Sequence, residues 1–330
     1  MKRYDLWDNL KALLIMSVVI GHFAEIYIKG NPSFEMVKLF IYAFHMPLFI
    51  FISGLHHRYT NVMERIIYLV SIGLMWKMVR TVSVFFLYGR VHFTLLSEPG
   101  VPWFMFALAV YEGAAWILRK QNMKWALVVS ILLACFAGFD NSLGDFLCLS
   151  RIIIFFPFYL AGVVIDEEKL FSLREKAGRL GILAGVAIFI LWASAVVFRF
   201  DQIRIILHLL AGRNPFRNEI LTTGPLWRLA CDLLTAVLCF ALILLVPNRK
   251  IKGVTRIGVN SINVYFWHYL CLEILLYLVN CEALISQGPL GKIIYLMMAV
   301  AVTIFLGISN IFSFPCKQIK KAVFANVKKS

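Results

Sequence analysis

Apolar runs close to twenty residues long recur along the whole chain, parted by short connections rich in lysine and arginine. No other feature limits the possible folds so strongly. A helix needs roughly 20 apolar residues to cross the hydrocarbon core of a bilayer, and in lipid each span must satisfy its own backbone hydrogen bonds. By that rule the chain offers about ten spans, at 10–28, 36–54, 65–87, 101–118, 125–139, 150–165, 180–198, 226–246, 259–280 and 290–312, the fifth and sixth being short. The expected fold is an all-α polytopic membrane protein, a bundle of about ten transmembrane helices forming one domain over residues 1–330. Composition agrees, with 61% hydrophobic and only 15% charged residues, too few polar groups to coat a soluble domain of this length.

A formal charge of +15 suggests nucleic acid only until its distribution is read. The basic residues sit in short clusters between apolar runs, which is how cytoplasmic loops are marked. With the N-terminus inside, segments 1–11, 55–65, 119–124, 166–179, 247–258 and 313–330 hold about 21 basic residues, against about nine on the opposite side. The expectation is an N-in, C-in, multi-pass protein of the plasma (inner) membrane, in contact with the lipid bilayer and without a nucleic-acid partner. Loop 199–225 departs from the charge rule, with Arg199, Arg204, Arg213 and Arg217 on the outer side. Either it meets an anionic or sugar-bearing acceptor, or it is a solvated loop whose stretch IRIILHLLAG lies on the membrane. Seven cysteines show no CxxC or paired Cys/His spacing; they read as small buried hydrophobes and imply no metal site. The first apolar run lacks a small-residue cleavage site and is read as an uncleaved span.

Ionisable residues within the spans are the candidates for function, because each costs on the order of 3 kcal/mol to insert at a helix centre. The first span carries Asp8, Lys11 and His22. Eleven residues are nearly a whole number of turns, so Lys11 and His22 share a face about 16 Å apart, with Asp8 one turn below Lys11. Asp8 itself is about 21 Å from His22 along the helix, so a carboxylate that orients His22 is expected from another span. His45 lies near the middle of the second span beside Pro47. Lys77 and Arg80 stand one turn apart on the third, with Glu25 or Glu273 as possible partners. Arg228 and Asp232 are at i, i+4 on the eighth, and His268 and Glu273 lie on the ninth. These groups either form satisfied pairs that hold helices together or line a shared interior with a chemical task.

The order of several short stretches narrows the choice. Asp8, Lys11 and the pair Gly21–His22 come first, followed by FHMPLFIFISG (44–54), VPWFMFAL (101–108), SRIIIFFPFYLAG (150–162) and SINVYFWH (261–268). In that order they resemble the acyltransferase-3 family of integral membrane acyltransferases, and within it the fucose 4-O-acetylase-like branch. The third span, IGLMWKMVRTV, lacks the proline of that pattern, and Arg65 alone represents the basic cluster at its entry.

The resemblance implies transfer of an acetyl or similar acyl group from acyl-coenzyme A to a hydroxyl of a cell-surface or lipid-linked carbohydrate, with no metal. Under it His22, Asp8 and His45 are the catalytic candidates, His22 serving as general base. Lys11, Arg58 and Arg65 form a basic lip for the donor's phosphates. Lys77, Arg80, Trp103, Arg151, Asp232, His268 and Glu273 hold the acceptor or steady developing charge. The rival reading is a proton-coupled transporter that uses the same histidines and carboxylates as a relay, although no inverted repeat is visible in the sequence.

Overall fold

A computed structural model describes residues 4–91, 93–94, 100–140, 142–144, 146–213 and 215–325. The regular elements among them are all helical. The principal ones are α1 (Asp5–Ile26), α2 (Pro32–Tyr42), α3 (His45–Leu55), α4 (Val62–Tyr88), α5 (Trp103–Leu118), α6 (Met123–Phe136), α7 (Leu149–Val164) and α8 (Glu167–Phe198), then α9 (Gly224–Leu245), α10 (Val254–Val259), α11 (Ser261–Leu278) and α12 (Pro289–Ile308). Among the described residues, seven helical stretches, counting Pro32–Leu55 as one, are long and apolar enough to cross a membrane. Where the fourth to sixth spans were expected, the apolar helices are shorter; one of 16 residues reaches only about 24 Å. Residues such as Leu183, Ile190 and Leu191 on α8 stay exposed, an apolar surface that a soluble protein would bury.

Two breaks refine the sequence reading. The second span is interrupted between Tyr42 and His45. Pro47 accounts for this: in a continuous helix it would forfeit a hydrogen bond and clash with the preceding turn, whereas in the first turn of a new helix its missing N–H costs nothing. His45 therefore opens a helix and does not lie in the middle of one. In α8, Gly178 adopts φ 48°, ψ −133°, a left-handed conformation natural for glycine, and the expected span at 180–198 begins just beyond it.

The chain divides into two compact units, each assembled from separated segments. The first comprises residues 1–41, 71–93 and 246–330. Its organising contact is a polar clamp at the start of α1. The Leu6 N–H, one of the first-turn donors that a helix leaves unsatisfied, donates to Asn248 Oδ1 at 3.0 Å. Asn9 is buried; its Nδ2 donates to the carbonyls of Pro247 and Arg249, each at 2.9 Å, and its Oδ1 accepts from Thr255 Oγ1 at 2.8 Å. Gly258 then lies against the Asp8 carbonyl so closely that a Cβ would meet it. Farther along, the buried Tyr295 hydroxyl donates to the Phe23 carbonyl at 3.1 Å.

The second unit comprises residues 42–70 and 94–245. Here α3 and α7 cross at backbone distance: a Cβ on Gly54 would meet the Tyr159 carbonyl, and one on Gly162 the Phe51 carbonyl. Gly181 and Gly185 admit Leu244 and Leu245 of α9 in the same way, the small-residue spacing that membrane helices use for close approach. Segment 199–225 is neither a free loop nor a helix resting on the membrane surface alone. It forms short helical turns with Ile206, Leu209, Leu210, Phe216 and Ile220 buried, while its four arginines remain exposed. The Phe216 ring fills the space left by Gly138 and Gly224.

Gly54→Ala and Gly162→Ala are each expected to destabilise the detergent-solubilised protein by about 1–3 kcal/mol, through overpacking against a backbone carbonyl. Gly144→Ala, which meets open space, serves as the neutral comparison. Thermal unfolding checks this, and an unchanged midpoint for Gly54→Ala would contradict the close crossing.

Candidate active site

In the first unit, α1, α2, α4 and α11 gather a continuous polar array. His22 points its Nδ1 toward Glu25 Oε2 at 3.7 Å, and Glu25 Oε1 pairs with Lys38 Nζ at 2.6 Å. The expectation that a carboxylate beside His22 must come from another span is thus corrected: Glu25 follows it by three residues on the same helix, where side chains are neighbours. On its other side the His22 ring lies 5.3 Å from the His268 ring and 5.8 Å, edge-on, from Tyr269. The Arg80 guanidinium stands over Tyr269 at 5.1 Å and over Trp76 at 5.7 Å. It pairs with Glu273, Nε to Oε1 at 3.2 Å, and Ser83 Oγ donates to the second carboxylate oxygen at 3.3 Å. Lys77 is buried on α4, one turn before Arg80.

The hydrogen bonds of His268 fix its tautomer. It is fully buried, and its Nδ1 lies 3.0 and 2.8 Å from the carbonyls of Val264 and Tyr265. Carbonyls only accept, so Nδ1 carries the proton and Nε2 presents a lone pair. That Nε2 is buried without a partner among the described residues. His22 and Glu25, by contrast, keep 20% and 36% of their side chains accessible, so the array is open at that end. Asp8 and Lys11 occupy the opposite end of α1, where they pair with each other at 2.7 Å.

The remaining sequence candidates belong to the second unit. His45 is buried, with its ring 4.8 Å from that of Tyr42. Arg151 is buried and stands over the Trp103 ring at 5.2 Å. Arg228 and Asp232 do not pair. Arg228, 1% exposed, donates from Nη1 to the Leu209 carbonyl at 2.6 Å, and Asp232 Oδ2 has no partner among the described residues. Arg58 is exposed. Arg65 is engaged: Nη2 and Nε approach Glu112 Oε2 at 2.8 and 3.1 Å, and its other donors serve the carbonyls of Arg58 and Thr60. The same carboxylate oxygen accepts from His57 Nδ1 at 2.9 Å, with the Tyr159 hydroxyl equally close to that nitrogen.

Sequence reasoning therefore missed Tyr269, His57 and Glu112 and undervalued Glu25. Glu25 and Tyr269 were discoverable, one as the next turn after His22 and the other as the neighbour of His268. The 54 residues between His57 and Glu112 carry no such signal.

Comparison with known proteins agrees with the membrane architecture. A family model described as "Acyltransferase domain" matches residues 5–308. The nodulation protein NolL of Sinorhizobium fredii is 28% identical over 219 residues, covering 59% of this chain and 56% of that protein. NolL of Mesorhizobium japonicum is 29% identical over 181 residues, covering 49% and 47% respectively. The chain thus spans about half the length of these relatives. No solved structure matches.

Glu112 ties the 56–65 loop to α5 through His57 and Arg65, so Glu112→Leu should cost about 1–3 kcal/mol by leaving polar partners unsatisfied. Arg65→Leu combined with Glu112→Leu should cost less than the sum of the two. A double-mutant cycle on unfolding midpoints reads this coupling, and strict additivity would show that the pair does not interact.

Proposed function

The chain belongs to the acyltransferase-3 family of acyltransferases, and on that premise we propose that it is a membrane-embedded O-acyltransferase moving an acetyl or similar group from acyl-coenzyme A to a carbohydrate hydroxyl. One observation carries the reading: His22, inside an apolar helix, is flanked by Glu25 and His268 yet remains accessible. A membrane helix does not retain such a histidine without a task or a full set of partners.

In this mechanism the acceptor hydroxyl oxygen attacks the thioester carbonyl carbon while His22 takes its proton. Glu25 faces Nδ1, which leaves Nε2 as the nitrogen that takes the proton. The tetrahedral intermediate collapses by breaking the carbon–sulfur bond. The coenzyme A thiolate leaves and takes the proton from His22, which restores the neutral base. His268 directs its Nδ1–H to the Val264 and Tyr265 carbonyls, which fixes its ring beside that of His22. Lys77 is the cation proposed for the oxyanion; Arg80, already paired with Glu273, holds Tyr269 beside His22. The proposed orientation is N-in, C-in, with the donor entering from the cytoplasm.

His22→Ala is expected to lower acyl transfer by about 10²–10⁴-fold, the usual worth of a general base, with membrane insertion and helix content unchanged. Glu25→Gln should fall between that variant and wild type, and His45→Ala tests the second histidine separately. The assay is release of free coenzyme A from acetyl-CoA on addition of glycan, paired with mass spectrometry of surface glycans for acetyl groups. Transfer retained by His22→Ala removes that residue from the mechanism. Gradient-driven flux without thiol release would favour the transporter reading.

A further inference from the structure

The first unit contains a second polar feature, apart from the His22 array. A cavity of about 630 Å³ is lined by Asp5, residues 250–253 and 255–256, Val259, Asn260 and Asn310. Three of its side chains, Lys250, Lys252 and Arg256, are cations and one, Asp5, is an acid. Lys250 and Lys252 have no ion-pair partner among the described residues, and both are exposed. Arg256 is aimed by a hydrogen bond from Nη2 to Asn310 Oδ1 at 3.1 Å. The backbone that carries them is rigid by construction. Asn9 clamps the carbonyls of Pro247 and Arg249, and Thr255 Oγ1 accepts from the Ile251 N–H at 2.9 Å while donating to Asn9. Gly253, at φ 93°, makes the turn that sets Lys252 and Arg256 on one rim. A preformed cavity of this size with converging cations is suited to a phosphate-bearing small molecule.

We propose that this cavity binds the phosphate-bearing nucleotide end of the donor, so that Lys250, Lys252 and Arg256 are the donor-docking residues. The inference rests on the acyl-coenzyme A reading above and gives it a place. Two of the three cations first expected to do this work are engaged, Lys11 with Asp8 and Arg65 with Glu112, while Arg58 is exposed in the second unit. Reach is compatible as well. Gly258 marks the level of Asp8 on α1, and His22 lies fourteen residues farther, about 21 Å along the helix. That interval is comparable with an extended phosphopantetheine arm, which would leave the phosphates in the basic cavity and bring the thioester toward His22.

The test uses the full-length protein in phosphatidylcholine nanodiscs, with adenosine 3′,5′-bisphosphate as the probe in calorimetric titration. Each of Lys250→Ala, Lys252→Ala and Arg256→Ala should weaken binding about tenfold, the worth of one charge-assisted hydrogen bond, and the triple variant should abolish it. Michaelis constants for acetyl-CoA should rise in parallel. Lys320→Ala, exposed and outside the cavity, controls for net charge, and unfolding midpoints confirm that the variants fold. Undiminished binding of the probe by the triple variant, or no binding by wild type, overturns the inference. So does a triple variant that loses affinity for phosphatidylglycerol but keeps its Michaelis constant, since the cavity would then hold a lipid headgroup. Absence of thiol release by wild type fails the acyltransferase reading instead, and the two failures are thereby distinguished.

Discussion

An ionisable side chain within a membrane helix survives only if it finds a counter-charge, surrenders its own charge or reaches water. The first unit sets several such groups in one row. Lys38 and Glu25 neutralise each other, as do Arg80 and Glu273. His268, fully buried, gives its Nδ1 proton to two backbone carbonyls. His22, placed among these groups, has the 3.7 Å approach of Glu25, the rings of His268 and Tyr269, and a partly open surface. That openness is why His22 is the residue proposed to meet the substrate.

The array needs helices that do not shift, and the packing shows how they are fixed. Lipid supplies no hydrophobic drive between spans, so close fit and interhelical hydrogen bonds must hold them. Asn9 and Thr255 lock α1 to the segment before α10 with bonds between buried groups, and Gly258 allows the backbones to touch. In the second unit the same purpose is served by Gly54 and Gly162, and by a carboxylate hub at Glu112. Polar residues that look equivalent in the sequence therefore divide into two kinds. Asn9, Glu112 and Arg65 are fully engaged and hold the fold, whereas His22, Lys250 and Lys252 retain unused capacity and suit chemistry or binding.

Much was legible in the chain itself. The periodic return of apolar runs required helices, because no other backbone arrangement of this composition is satisfied in lipid. The spacing of Asp8, Lys11 and His22 placed the histidine far from the basic end, and the motif order carried the family resemblance. The clearest departures came where local chemistry outweighed span counting. Pro47 split a span and moved His45 to the start of a helix, and Arg228 turned to a carbonyl in preference to Asp232 one turn away.

The sequence by itself determined that this is a helical membrane protein with ionisable groups inside its spans, because hydropathy, charge asymmetry and helical periodicity are properties of neighbouring residues; its motif order carried the resemblance to the acyltransferase-3 family. Tertiary structure alone decided which groups are partners. That His57 and Arg65 share Glu112, that Arg80 takes Glu273, and that Asn9 clamps a loop some 240 residues away are contacts between distant segments. Such contacts are set by which helix faces meet, and a one-dimensional pattern holds no record of that choice.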